Sequence, residues 1–267
     1  MRAGGVPGFL ALAVLALLWI YAYRMSANPL TWEEPRRCLV SMEMIERGDY
    51  LVPRLLGEIY QNKPPLQNWL LVLFAGNRLD RVGPFPLRMI SILSVAGIAL
   101  LLASLSAGGR FGCPAWAPAL IFLTMGIVLQ YGRSGEVDSL FSFWIVSAFW
   151  CFETGRKRGS ASLQWVLSQL LLAPAILTKG LAPLFFYPPV LWRAWREPRA
   201  FPFSVRAFGA GLCAEILLVS AWLLPSTARV QSRSIDTWAT AMGSGGAAGF
   251  LQHVLSYPLE IAANLLP

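Results

Sequence analysis

Apolar runs of membrane-spanning length recur along most of this chain, separated by short polar segments. A helix needs about 20 apolar residues to cross a bilayer core of about 30 Å, and runs near that length predict about seven transmembrane helices. They are residues 7–24, 87–107, 114–131, 139–153, 163–178, 181–195 and 207–224. The runs at 139–153 and 181–195 are short, so their ends are loosely defined. The pattern predicts an all-α polytopic membrane protein.

One apolar run, LQNWLLVLFAGNRL at residues 66–79, is too short to be a regular span. Apolar segments of about 10–14 residues are typical of interfacial or re-entrant helices. We therefore expect this run to lie in the membrane surface. If it crossed the bilayer, every later loop would change sides.

Composition and charge support a membrane protein and argue against a nucleic-acid partner. Hydrophobic residues make up 56% of the chain and charged residues 13%, with a mean hydropathy of +0.54, far from a soluble domain. The net charge is +8, but the basic residues cluster in short loops at 156–158 and 193–206. Such clustering is typical of loops kept in the cytoplasm. The first run is typical of a signal anchor, with a cleaved signal peptide ending near Ser26 as the alternative.

Placing both basic loops inside fixes the side of every other loop. The first helix then runs outward, and residues 25–86 form one long outer loop. We expect residues 1–224 to form the transmembrane core and residues 225–267 to form an outer segment with the start of a further helix. Ionisable residues at several helix ends converge on the outer face in this topology. They are Glu33, Glu34, Lys63, Glu136, Asp138 and Lys179.

The outer loop is unusually acidic: six of the fourteen Asp and Glu residues fall within residues 31–65. The sequence TWEE at 31–34 matches a capping box in which Glu34 reaches back to Thr31. It predicts an amphipathic helix that ends at Gly48 and lies on the bilayer surface. Under one interpretation, Glu33 and Glu34 only cap this helix and pair with the adjacent arginines at 36 and 37. Under the other, one carboxylate points into a cavity as a base or a metal ligand.

Three further positions each have a structural and a functional interpretation. The prolines of NKPP at 62–65 fix the backbone and orient Lys63, which either contacts a ligand or extends toward lipid headgroups. Asp138 lies where two spans meet, and an acid near bilayer depth is costly unless it caps a helix. Lys179 interrupts a long apolar stretch, either as a hairpin tip or as a phosphate contact.

In their order and spacing, these motifs resemble a bacterial family of glycosyltransferases that use lipid-linked sugars and have the GT-C fold. The family includes the aminoarabinose transferases that act on lipid A and the protein O-mannosyltransferases. The matching segments are EEPRR at 33–37, GDYLVPR at 48–54, NKPP at 62–65, VD at 137–138 and LTKG at 177–180.

The resemblance implies transfer of a sugar from a polyprenyl-phosphate-sugar to an acceptor on the outer face of the bacterial inner membrane, with inversion. The acceptor in this family is lipid A, a glycan or a protein. The implied site consists of the catalytic carboxylates Glu33, Glu34 and Asp138 and the donor-phosphate ligands Lys63, Lys179, Arg36 and Arg37. A divalent metal on those carboxylates stays an alternative that the ligand spacing does not support.

The chain also departs from the family. The usual Asp-Glu pair is replaced by Glu33-Glu34, and Asn62 stands where some relatives have an acid. Relatives are considerably longer, so we expect this chain to be truncated. Two other classes therefore stay open: a catalytically inactive core that binds polyprenyl lipid or a partner, and a small-molecule transporter. A transporter would place its ionisable residues at mid-membrane rather than at one face.

Overall fold

The computed structural model describes residues 19–60, 62–106, 114–197 and 203–230. Residues 19–22 are helical. The helices that follow are α1 (Glu34–Arg47), α2 (Leu66–Phe74), α3 (Pro84–Ser106), α4 (Ala117–Thr124), α5 (Gly126–Gly132), α6 (Val137–Arg158), α7 (Ser168–Leu170), α8 (Leu172–Lys179), α9 (Tyr187–Arg196) and α10 (Val205–Val230). Short 3-10 helices cover Leu79–Arg81 and Ala182–Phe186, a π-helix covers Ser162–Leu167, and β1 (Arg54–Leu55) pairs with β2 (Glu58–Ile59).

The predicted all-α architecture is confirmed, but several spans are interrupted. Within the described residues, α3 and α10, of 23 and 26 residues, are the two helices long and apolar enough to cross a membrane. The run at 114–131 divides at Met125, whose ψ of 130° is extended. The runs at 163–178 and 181–195 divide into π, 3-10 and α segments, in a stretch containing four prolines, each of which lacks a backbone donor. Most of the predicted first span lies outside the described residues.

Helices α1 and α2 pack against each other next to the start of α3. Helix α1 ends as predicted at Gly48, whose φ of +63° suits glycine. The nine residues of α2 extend about 14 Å, too short to cross the bilayer. Asn68 on α2 donates to the Arg37 carbonyl and to Ser41 Oγ, both at 3.0 Å. The two helices are therefore joined by hydrogen bonds as well as by apolar contacts.

The outer loop contains a hairpin that the sequence did not predict. Strands β1 and β2 each have only two residues, and the turn between them places Leu56 and Gly57 at positive φ. The Glu43 carboxylate on α1 accepts from the Gly57 N–H at 3.2 and 3.1 Å. Strands this short carry no readable alternation of apolar and polar residues, which explains the missed prediction.

Helix α6 runs from one end of the bundle to the other. Asp138 lies in its first turn and the basic residues 156–158 lie in its last, about 27–30 Å apart at 1.5 Å per residue. At the basic end, buried Glu153 contacts Arg156 at 2.9 Å and Arg193 at 3.8 Å. The two basic loops therefore share one end, as the predicted topology requires.

Helix α10 returns the chain to the opposite end. Trp222 Nε1 donates to the Leu51 carbonyl at 3.0 Å, and Arg229 contacts Asp49 at 3.2 Å. Both acceptors belong to the outer loop. The loop at 25–86, the start of α6 and the last turns of α10 thus meet at the end away from the basic loops.

Candidate active site

Glu34 anchors the outer loop to the bundle. Its carboxylate is fully buried and accepts from the Arg88 side chain at 2.8 and 2.7 Å, from the Gly135 N–H at 2.7 Å and from the Thr31 N–H at 2.8 Å. Glu34 therefore reaches back to Thr31 as predicted, but the predicted cap is wrong: the N-cap residue of α1 is Glu33, and no side chain caps the helix. Burial raises the pKa of the Glu34 carboxyl, but these hydrogen bonds outweigh burial and leave it lowered.

Arg88, on α3, is the partner that sequence reasoning missed. It is 4% exposed, and besides Glu34 its guanidinium binds three backbone carbonyls of the segment after the first helix. These are the carbonyls of Met25, Asn28 and Pro29, at 2.6, 3.1 and 2.8 Å. In the predicted topology Arg88 lies near the outer face, where basic residues are normally scarce. A lone arginine in the first turns of an apolar helix was the available signal, since a buried cation requires an anion.

Glu33 faces the open side of the same turn. Its carboxylate binds Arg36 Nη1 through both oxygens at 2.6 Å, and Arg37 Nη2 lies 4.0 Å away. The Glu33 side chain is 39% exposed, and its backbone N–H donates to Glu136 at 3.2 Å. The predicted pairing with Arg36 is therefore present for Glu33, whereas Glu34 pairs with Arg88.

Asp138 and Lys179 come from distant spans and form an ion pair of 2.6 Å. Asp138 lies in the first turn of α6, where the helix dipole favours a negative charge, but the N-cap residue of this helix is Glu136 rather than Asp138. Lys179 is the last residue of α8, and its Nζ lies 5.3 Å from the centre of the Phe141 ring. Both side chains stay partly exposed, so a ligand can reach the pair.

Lys63 lies within electrostatic reach of the same groups. The prolines after it are buried, and Lys63 itself is half-buried. Burial lowers the pKa of its ammonium, and the nearby Lys179 and Arg37 lower it further, while Asp138 and Glu33 act in the opposite direction. The outer loop thus places Lys63 near the Asp138–Lys179 pair, together with Arg37.

Arg37 is the most unusual member of the cluster. Its side chain is 1% exposed, and none of its three guanidinium nitrogens has a hydrogen-bond partner among the described residues. Its Nη2 forms a long ion pair of 4.0 Å with Glu33, and the Tyr60 ring lies 5.7 Å away. A buried guanidinium without a hydrogen bond is costly. The position therefore favours an anion bound beside it.

The carboxylates do not fit a metal site in this arrangement. Glu33 is bound to Arg36, Glu34 to Arg88 and Asp138 to Lys179. Among the residues that the structure describes, no three metal-ligating side chains converge.

Glu136, which the sequence placed on the outer face without a role, lies between Glu33 and Asp138. Burial raises the pKa of its carboxyl, and repulsion from Asp138 and Glu33 adds to the rise, against the hydrogen bond from the Glu33 N–H. The surroundings of Glu136 therefore disfavour its charged form more than water does.

A separate polar pair lies deeper in the bundle and was not noticed in the sequence. Glu215 on α10 is 3% exposed and accepts a hydrogen bond from the Tyr187 hydroxyl. The two residues join α9 to α10 away from the cluster at the helix ends. We assign this pair to helix packing rather than to the site.

Comparison with known proteins relates this chain to one group of transferases. No family model matches it. It is 30% identical over 241 residues to the undecaprenyl phosphate-alpha-4-amino-4-deoxy-L-arabinose arabinosyl transferase of Pseudomonas aeruginosa strain LESB58, covering 85% of this chain and 41% of that protein. The enzyme of the same name from Edwardsiella ictaluri is 29% identical over 242 residues, covering 87% and 42%.

Solved structures agree at the level of the fold. The crystal structure of ArnT from Cupriavidus metallidurans bound to undecaprenyl phosphate matches with a TM-score of 0.70 at 19% identity, over 85% of this chain and 42% of that one. The apo structure of the same protein gives 0.67 at 21% identity. The sequence relatives confirm the resemblance drawn from the motifs, and the solved structures confirm the predicted fold. The chain spans about two fifths of the length of the curated relatives it matches.

Proposed function

We propose that this chain forms the donor site of a glycosyltransferase that takes a sugar from a polyprenyl-phosphate-sugar. The acceptor, which in the family is lipid A, a glycan or a protein, would meet the donor at the outer face of the bacterial inner membrane. The relatives named above are arabinosyl transferases of undecaprenyl-phosphate-linked aminoarabinose. Because the chain covers only part of them, both the donor sugar and the acceptor are left open.

The observation that carries this proposal is the buried guanidinium of Arg37, which has no hydrogen-bond partner among the described residues. Together with Lys63 and Lys179 it forms a cationic cluster at the end of the bundle away from the basic loops. A phosphate carries up to two negative charges and accepts several charge-assisted hydrogen bonds. A lipid phosphate would thus supply the partners that this cluster lacks.

Roles in the proposed reaction follow from the contacts. The acceptor oxygen attacks the anomeric carbon, the bond from that carbon to the phosphate oxygen breaks, and polyprenyl phosphate leaves with the bond's electrons. Arg37, Lys63 and Lys179 would stabilise the charge that develops on the leaving phosphate. Glu33, partly exposed beside them, would accept the proton of a hydroxyl acceptor.

The other members of the cluster would position these groups. Glu34 is fully buried and binds Arg88, Thr31 and the Gly135 N–H, so its proposed role is to hold the turn that carries Glu33. Arg36 would orient the Glu33 carboxylate, and Asp138 would orient Lys179.

A catalytically inactive core that binds polyprenyl phosphate is the second candidate, because the same cations would hold the lipid without turnover. A transporter is less well supported. The ionisable cluster lies at one end of the helices, and the deeper Glu215 is engaged with Tyr187.

Sugar transfer in membranes containing the full chain tests the proposal. The readout is movement of label from a polyprenyl-phosphate-sugar to lipid or protein. We expect Lys63→Met to abolish transfer, and Glu33→Gln to slow it by about 10²–10⁴-fold for a hydroxyl acceptor. Glu58→Gln, on the exposed strand β2, is the matched control and should keep wild-type activity.

The outcomes separate the two candidates. Transfer by wild-type membranes that is lost in Lys63→Met supports the enzyme. Binding of polyprenyl phosphate without any transfer supports the inactive core. Full activity in both site variants would contradict the proposed mechanism.

A further inference from the structure

The end of the bundle that holds the basic loops carries an excess of positive charge. Its described residues include six cations and two acids. The cations are Arg156, Lys157 and Arg158 on α6, Arg193 and Arg196 on α9, and Arg206 on α10, and the acids are Glu153 and Glu197. An excess of this sign attracts anionic lipid headgroups. This end lies opposite the proposed donor site, so a ligand bound here is separate from the donor.

Helix α9 has one face in the core and another at the surface. Val190 and Ala194 are buried in the core of the bundle. Trp192 and Trp195 are 57% and 72% exposed, with their ring centroids 5.4 Å apart. Exposed tryptophans near the end of a membrane helix are typical of the boundary between lipid and water. The end of α9 therefore lies at the level of the lipid headgroups.

Two arginines of α9 lie beside this tryptophan pair. The guanidinium carbon of Arg196 lies 5.8 Å from the centre of the Trp192 ring, as in a cation–π contact. The Arg193 side chain is 48% exposed, and its ion pair with Glu153 is 3.8 Å long. Glu153 also binds Arg156, at 2.9 Å. One carboxylate thus serves two arginines, which leaves this group with a net positive charge.

Arg193 also lines an apolar cavity of about 580 Å³ between α3, α6 and α9. Of the thirteen described residues that line the cavity, Arg193 is the only charged one, and all the others except Ser106 are apolar. Because the Arg193 side chain is half-exposed, the lining extends from the apolar interior to the headgroup level. A molecule that fits both parts has an apolar chain and an anionic head.

The depth of the cavity fits one leaflet of a bilayer. From Arg193 to Phe185 the lining follows eight residues of α9 and the 3-10 helix before it, or about 12–14 Å. Half of the hydrocarbon core is about 15 Å. The acyl chain of a glycerophospholipid whose phosphate lies at Arg193 therefore has the length to fill the cavity.

We propose that this end of the bundle binds an anionic glycerophospholipid of the leaflet that it faces. The phosphate contacts Arg193, one acyl chain occupies the apolar cavity, and the two tryptophans of α9 lie at the level of the glycerol. The distribution of basic residues predicts that this leaflet is the cytoplasmic one. The site uses no residue of the donor cluster, so it stands independently of the proposed function. A bound lipid stabilises the packing of α9 against α3 and α6.

The test measures binding to the purified full chain by native mass spectrometry. The probes are dioleoyl phosphatidylglycerol, dioleoyl phosphatidylcholine, which has the same chains without a net charge, and glycerol phosphate, which has no chain. Arg193→Gln removes the cation, and Arg193→Lys keeps it. Arg206→Gln is the matched control, because Arg206 is an exposed cation at the same end that does not line the cavity.

A second pair of variants tests the acyl chain. Val146→Trp fills the cavity from α6. Leu100→Trp is its control, because Leu100 is 73% exposed on α3 and does not line the cavity.

We expect phosphatidylglycerol to bind at least about fivefold more tightly than phosphatidylcholine, since a charge-assisted contact with Arg193 adds to the apolar burial. Arg193→Gln should remove that preference, whereas Arg193→Lys and Arg206→Gln should keep it. Val146→Trp should weaken both lipids, and Leu100→Trp neither. Phosphatidylglycerol should also raise the Tm of the wild type, because a ligand that binds only the folded state stabilises it.

Four results would overturn the lipid site. Equal binding of the two lipids to the wild type would mean unspecific contact with bulk lipid. An equal loss in Arg206→Gln and Arg193→Gln would mean attraction by the whole basic surface. Binding of glycerol phosphate as tight as that of phosphatidylglycerol, unaffected by Val146→Trp, would mean a site for a soluble phosphate. Loss of phosphatidylglycerol binding in Lys63→Met would place the lipid in the donor cluster. The probes and Val146→Trp decide between these results even if Arg193→Gln does not fold.

Discussion

The ion pair between Arg88 and Glu34 makes the most demanding prediction about stability. Arg88 donates five hydrogen bonds, two to Glu34 and three to backbone carbonyls. Arg88→Met keeps the apolar part of the side chain but leaves the Glu34 carboxylate buried without its cation. Breaking one partner of a buried pair costs about 3–5 kcal/mol.

Thermal unfolding in detergent measures this cost. For a domain of this size, about 1 kcal/mol shifts Tm by roughly 2–4 °C, so Arg88→Met should lower Tm by roughly 6–20 °C. Arg78→Met is the matched control, because Arg78 also pairs with a carboxylate, Asp80 at 2.9 Å, but at the exposed surface. Its Tm should not change measurably. The double variant Arg88→Met/Glu34→Met should recover part of the loss, since no buried charge is left unpaired.

The ion pair between Arg88 and Glu34 also determines how the thermal stability changes with pH. The Glu34 pKa is lowered from 4.5 in the folded protein, so its contribution to stability is complete above that value and is lost as pH falls through the lower, folded pKa. The Tm difference between wild type and Arg88→Met should therefore be full at neutral pH and shrink in acid. A difference of less than about 2 °C at neutral pH would refute the reasoning, because it would mean that Glu34 needs no cation.

Three smaller predictions concern the same end of the molecule. Because burial and neighbouring cations lower the pKa of Lys63 below its usual 10.5, binding of polyprenyl phosphate should weaken as pH rises toward that value, and Lys63→Arg should remove the dependence. Gly135→Ala would bring a methyl group against Leu87 and should lower stability by about 1–3 kcal/mol in thermal unfolding. Trp222→Phe removes the hydrogen bond to the Leu51 carbonyl and should lower the free energy of unfolding by about 1 kcal/mol. Proteolysis of the outer loop should then become faster, and an unchanged cleavage rate would contradict the importance of that contact.

The sequence predicted the membrane architecture because apolar runs and basic loops are physically strong signals. The sides assigned to the loops predict that Lys63, Asp138 and Lys179 lie on one face. In the structure Asp138 pairs with Lys179, and both act electrostatically on Lys63. Helix α1 was predicted with its Gly48 end for a local reason, since capping and a left-handed glycine are properties of neighbouring residues.

The partnership of Glu34 could not be predicted in the same way. Its cation, Arg88, is 54 residues away in the sequence, whereas Arg36 and Arg37 are much nearer and were therefore the expected partners. The broken spans were missed because hydropathy records how apolar a segment is, not whether its backbone is continuous. Arg36 and Arg37 are equivalent in the sequence, and only the structure shows that Arg36 hydrogen-bonds Glu33 while the buried Arg37 guanidinium makes no hydrogen bond to the described residues.

The central claim is that a lipid phosphate completes the charge of this site, and Arg37→Met tests it most directly. The measurement pairs the Kd for undecaprenyl phosphate with the Tm of the unliganded protein, using Arg78→Met as the control. Removing a buried charge that makes no hydrogen bond should raise Tm or leave it unchanged, while binding weakens by at least about tenfold. Unchanged phosphate binding in Arg37→Met, or a loss of Tm that accounts for weaker binding, would contradict the claim.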